Sequence, residues 1–79
     1  MNTYDHYAEA QELIDMLRRD ELNDSADTLL KAMEEGATGT EIFMALRWSI
    51  KELIEAEKCS NMIKIKAERL YQELDKALQ

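Results

Sequence analysis

Lys58-Cys59-Ser60-Asn61 is the point at which the second half of this 79-residue chain either turns or runs on. Before it, Ile42, Ala45, Leu46, Ile50, Leu53 and Ile54 form a broad apolar face at helical spacing, and after it Ile63, Ala67, Leu70, Tyr71 and Leu74 form another. Positions 46, 49, 53, 56, 60, 63, 67, 70, 74 and 77 keep a 3-4 spacing through the tetrapeptide without a phase break, so one helix from 40 to 78 is a real alternative. Ser60 and Asn61, however, are good N-caps for a separate fourth helix. A continuous helix of that length would span ~58 Å, and the segments before it are too short to cover it. The break is therefore the preferred reading: four helices can close a core by themselves, whereas the long helix needs a second chain.

Working back from this point, Glu35-Gly36-Ala37-Thr38-Gly39-Thr40-Glu41 holds both glycines of the chain. Gly36 is expected to end a helix in the left-handed conformation of a C′ residue. Thr38 and Glu41 have the capping-box spacing that satisfies free backbone donors at the next helix start. Upstream, Leu22, Ala26, Leu29, Leu30 and Met33 mark an apolar stripe with Asn23 and Asp24 as available caps. Tyr7, Ala10, Leu13, Ile14 and Leu17 mark another. There is no proline, and Ala, Leu, Glu, Lys and Met dominate. The expected fold is all-α: a single domain over 1–79 forming a small antiparallel bundle of three to four helices, at about 4–20, 24–35, 39–57 and 61–78, the last two in one piece if the chain does not break.

Chains this short bury only about 60% of their unfolded surface and hold one core. Small scaffolds often add a disulfide, a metal or a partner. A lone Cys59 makes no internal bridge, and one histidine, His6, makes no zinc cluster. A partner is what remains, in a reducing, cytoplasmic setting. Met1 to Tyr7 does not resemble a signal peptide, and no run approaches the ~18 apolar residues of a membrane span.

Net charge is −7, and it is unevenly distributed. Residues 1 to 37 carry ten acids against three bases, whereas residues 38 to 79 carry seven of each. An acidic half repels phosphate backbones and steers basic surfaces toward it, although the same charge also serves as a solvated surface. Asp5, Glu9 and Glu12 are expected on the outer face of the first helix, and Asp24, Asp27, Glu34 and Glu35 on that of the second, with too few bases to pair them.

No catalysis is expected: His6 is placed on the polar N-terminal fringe, and nothing fixes it beside Cys59 or a serine. No calcium loop or P-loop spacing occurs, and no cofactor is expected. A helix-turn-helix has the right proportions around Gly36 to Thr40, but its reading helix offers Glu41, Phe43, Met44, Arg47 and Trp48 after an acidic helix. DNA affinity rests on phosphate neutralisation, so nucleic acid is not the expected partner.

At 100° per residue, Ile42, Leu46 and Leu53 define the buried side of the third helix, while Met44, Arg47, Trp48, Lys51 and Glu55 lie on the far flank. Two accounts of Trp48 stay open. Either it is covered by the first or fourth helix, or Trp48 and Met44, with Arg47 beside them, anchor a partner or a second copy.

Gly36-Ala37-Thr38-Gly39-Thr40-Glu41-Ile42-Phe43-Met44-Ala45-Leu46-Arg47-Trp48, preceded by Ala8-Glu9-Ala10-Gln11-Glu12-Leu13-Ile14-Asp15, resembles small helical proteins of bacterial toxin–immunity loci. The resemblance covers roughly the first fifty residues and transfers no residue position by position. In mode the chain is similar to the immunity proteins of nuclease bacteriocins and contact-dependent inhibition toxins. It implies a cytoplasmic antitoxin that binds a cognate toxin with a basic surface, of nuclease type, and covers its active site or substrate surface. The expected partner-binding residues are Asp5, Glu9, Glu12, Asp24, Asp27, Glu34, Glu35, Met44, Arg47 and Trp48. The alternative is a homodimeric helical adaptor or small regulator pairing through residues 40–78.

Overall fold

The computed structural model describes residues 4–56 and 59–79. Four helices follow in order: α1 (His6–Arg19), α2 (Asn23–Glu35), α3 (Gly39–Ala56) and α4 (Asn61–Leu78). The tetrapeptide does break the chain. Ser60 is extended and its Oγ accepts from the Ile63 N–H at 3.4 Å, which caps α4. The continuous 40–78 helix is thereby excluded; Glu57 and Lys58, where part of the expected break falls, lie outside the described residues. The unbroken 3-4 stripe has another use. Leu46, Ser49 and Leu53 on α3 and Ile63, Ala67, Leu70 and Leu74 on α4 are all buried, so the stripe lines the inside of a helical hairpin. Ala56, Ser60 and Ala77, at the helix ends of the same stripe, are exposed.

α1 starts at Asp5, whose carboxylate accepts from the Ala8 N–H at 3.0 Å, and carries Arg18 and Arg19 in its last turn, where they complement the helix dipole. It ends in a complete Schellman motif: the Leu22 N–H donates to the Leu17 carbonyl at 2.8 Å and the Glu21 N–H to the Arg18 carbonyl at 3.1 Å. Glu21 holds the left-handed position with φ 61°, a place usually taken by glycine. This turn overrides the expected caps of α2. Leu22 becomes the N-cap, its carbonyl accepting from Ala26, and no side chain caps the helix; Asn23 and Asp24 already lie inside it.

Gly36 corrects a second expectation. Its backbone is extended, with φ −70° and ψ 131°, and not left-handed. The position is glycine for lack of space: a Cβ there would stand 2.9 Å from the Ile42 nitrogen and 3.0 Å from its Cα. The capping pair behaves as its spacing indicates. Thr38 Oγ1 accepts from the Glu41 N–H at 3.2 Å, and the Glu41 carboxylate reaches back to the Ala37 N–H at 3.1 Å.

Each helix packs on its two neighbours in a closed ring, α1 on α2 and α4, α3 on α2 and α4. Neighbours run antiparallel: His6 meets Glu73, Lys66 meets Glu9, and Arg47 meets Asp75. The centre is aliphatic, with Leu13, Ile14, Leu17, Leu29, Leu46, Ile50, Ile63, Leu70 and Leu74 fully buried. Each contributes about 1.5–3 kcal/mol of transfer free energy, which makes this stripe pattern the main determinant of the bundle. α2 and α3 consequently form one broad outer face, opposite α1 and α4.

Candidate functional site

Trp48 is 64% exposed and Met44 53% exposed, one helical turn apart on α3. Neither α1 nor α4 covers Trp48, so the account in which it packs beneath them does not hold. Beside it a furrow follows the seam between α2 and α3. Its upper part, 460 Å³, is lined by Thr28, Ala32, Gly36, Ala45, Ser49 and Trp48, with Lys31, Glu35 and Glu41 at the rim. Its lower part, 210 Å³, continues past Thr28 and Ser49 to Ser25, Leu53 and Ala56, with Asp24 and Glu52 at the rim. The residues facing each other across the seam are small, so the two helices leave space between their outer edges and Trp48 stands at the rim.

The expected acidic residues divide into separate groups. Asp5 is spent as the α1 cap. Glu9 does not lie on an outer face: it is turned toward α4, where Lys66 donates to it at 2.7 Å, and Glu12 stands 3.5 Å from the same ammonium. The hydrogen bond from Lys66 holds the Glu9 carboxyl below the usual carboxylate range. Burial pulls the Lys66 ammonium down, but the hydrogen bond and charge of Glu9, with Glu12, outweigh it and leave the group raised. Asp5, Glu9 and Glu12 are thus structural members of the α1–α4 side and do not join the others.

Asp27 pairs with Arg18 at 3.0 Å and Glu35 with Lys31 at 3.6 Å, both in solvent and therefore weak. Asp24 and Glu34 have no ion pair among the described residues. Asp27, held by Arg18 of α1, and Glu34, two turns on, lie toward the α1 edge of α2, while Asp24 and Glu35 line the furrow that Trp48 also lines. Arg47 does not. Its guanidinium donates to Asp75 at 2.6 Å on the α4 side, away from the furrow.

Three acids that the sequence reading left out of the site complete the face: Glu41, Glu52 and Glu55, all exposed on α3. Together α2 and α3 carry seven acids against Lys31, Lys51 and the engaged Arg47. The signal for Glu52 and Glu55 was present in the α3 wheel. It was obscured because residues 38 to 79 sum to zero, their bases sitting mainly on α4. Two further apolar side chains, Met62 and Ile65, are exposed on α4, a separate patch among lysines and arginine.

At the end where α1 and α3 begin, His6 is not on a polar fringe. Its ring lies 4.6 Å from that of Phe43 and 5.1 Å from that of Tyr4, and Nε2 donates to the Glu73 carbonyl at 3.2 Å. Cys59 precedes α4, at the opposite end of the bundle. Among the described residues no three His, Cys, Asp or Glu side chains gather in a metal-holding group, and no helix is long and apolar enough to cross a membrane. Comparison with known proteins finds no matching family model, no matching curated protein and no matching solved structure.

Proposed function

We propose that this chain is an immunity-type protein, which binds and neutralises a bacterial toxin with a basic surface, of nuclease type, in the cytoplasm of the cell that makes both. The observation that carries the reading is the coincidence, on one face, of an exposed tryptophan and methionine with an excess of carboxylates. Trp and Met are enriched at interface cores, and acids around them speed the encounter with a cationic partner and mimic the phosphates a nuclease attracts. A chain with 5,292 Å² of accessible surface has room for a standard contact of ~800 Å² per partner on this face alone.

The test is co-expression of the tagged chain with the product of its neighbouring gene. Protection from that product's toxicity, with a stoichiometric complex on purification, is the expected result. Charge reversal at Asp24, Asp27, Glu34 and Glu35 should weaken the complex and make it less salt-sensitive. Full protection by the reversed variant would remove the electrostatic part of the reading. A neighbour that is neither toxic nor bound would remove the reading itself.

A further inference from the structure

Resting on the proposed role of the α2–α3 face, we infer that its furrow is a helix-docking site: it takes one amphipathic, lysine- or arginine-flanked helix of the partner, laid along the α2–α3 seam with an apolar side chain against Trp48.

The shape argues for a helix. The bundle has no strand among its described residues, so an extended peptide in the furrow would find no sheet edge to satisfy its backbone donors and acceptors. A helix satisfies its own. The small side chains of Thr28, Ala32, Ala45 and Ser49 allow a third helix to settle between α2 and α3 as a ridge into a groove. From Gly36 to Asp24 the seam follows about twelve residues of α2, or ~18 Å, the length of three helical turns.

The charge argues for a cationic occupant. Asp24 and Glu52 stand at one end of the furrow and Glu35 and Glu41 at the other, with Lys31 the one base among its lining residues. The same distribution argues against a second copy of this chain docked face to face through its own furrow. Two such faces brought together would set carboxylates against carboxylates around Trp48. The exposed Met62 and Ile65 on α4 lack this acidic frame, so the inference is specific to one side of the bundle.

Trp48 is the single tryptophan, so its emission reports on the furrow alone. The probe is a 15-residue amphipathic helix of Leu, Ala and Lys, titrated against the isotope-labelled intact chain, with the same peptide carrying Glu for Lys as control. The expected result is a blue shift and protection of Trp48 from quencher, amide shifts confined to residues 24–36 and 39–56, and binding at least about tenfold weaker for the acidic peptide. Glu35→Lys with Glu52→Lys should weaken the basic peptide by roughly tenfold, about 1.4 kcal/mol. Thr28→Arg, at an exposed position shared by both parts of the furrow, should do the same by obstruction.

No change at Trp48, shifts confined to α1 or α4, equal binding of both peptides, or a free chain that light scattering shows to be a dimer with Trp48 already shielded would each overturn the inference. The peptide assay contains no toxin, so its outcome is separate from that of the co-expression test. Peptide binding without toxin neutralisation keeps the docking site and removes the immunity role. Neutralisation with an inert furrow does the reverse.

Discussion

The Arg47 guanidinium donates to the Asp75 carboxylate across 2.6 Å and ties α3 to α4 on the flank away from Trp48. Two residues adjacent in sequence therefore have different tasks: Arg47 joins helices and Trp48 faces solvent. Both partners of the ion pair are more than a third exposed, which limits its contribution. A double-mutant cycle with Arg47→Ala and Asp75→Ala, read by urea unfolding, should give a coupling of about 0.2–1 kcal/mol. Trp48→Ala should leave the urea midpoint nearly unchanged and remove partner binding. A large loss of stability on Trp48→Ala would contradict its exposure.

Glu21 occupies the left-handed C′ position that closes α1. A side chain in that conformation costs roughly 1–2 kcal/mol, part of which glycine returns through its larger unfolded-state entropy. Glu21→Gly should raise the stability of the chain by about 0.5–1 kcal/mol and shift the melting temperature upward. A decrease would mean that the Glu21 side chain has a stabilising role beyond the turn.

The two glycines of the α2–α3 connection should respond differently to alanine. At Gly36 the added methyl would meet the backbone of Ile42, which cannot rotate aside, so Gly36→Ala should destabilise by about 1–3 kcal/mol. At Gly39 the nearest atom is the Tyr7 hydroxyl at 3.7 Å and the backbone is helical. Gly39→Ala should therefore be neutral or stabilising, by up to about 1 kcal/mol. Thermal melts of the two variants side by side decide the matter, and equal effects would refute the steric account of Gly36.

Burial, helped by the Glu9 carboxylate, pushes the Tyr4 phenol up to about 12 from an ordinary 10.0, while its hydroxyl finds no hydrogen-bond partner among the described residues. The folded chain holds this proton more tightly than the unfolded one. The corresponding stability is fully present below pH 10 and is lost as the pH rises through 12. Tyr4→Phe should remove that part of the alkaline loss, so the stability difference between variant and parent grows from pH 10 to pH 12. At neutral pH the variant should be about 1 kcal/mol more stable, because a desolvated hydroxyl is gone. Urea midpoints measured at pH 7, 10 and 11.5 would reveal a flat difference if the hydroxyl were in fact solvated.

Four helices, their order and most of the core were legible in the sequence because aliphatic spacing is a local signal that survives any arrangement of neighbours. Leu13, Ile14, Leu29, Leu46, Ile63, Leu70 and Leu74 are buried as their stripes require. Ser60 likewise acts on Ile63 three residues away, and Thr38 on Glu41. The misread positions are those whose role depends on distant atoms. Gly36 answers to the approach of Ile42, and Asn23 loses its capping role to a turn built by Leu17, Leu22 and a left-handed Glu21.

Of the candidate site, Met44 and Trp48 were readable as residues on the wrong side of an amphipathic helix. The pairing of acids with bases was not, since Glu9 and Lys66, or Arg47 and Asp75, are brought together only by the closing of α4 against α1 and α3. The sequence by itself determined the helices, the aliphatic stripes and the excess of negative charge, all properties of residues taken with their near neighbours. The tertiary structure decided which charges neutralise one another inside the bundle and which remain. It did so because ring closure sets Lys66 of α4 against Glu9 and Glu12 of α1 and Asp75 of α4 against Arg47 of α3, and leaves the furrow between α2 and α3 edged by carboxylates beside an uncovered tryptophan.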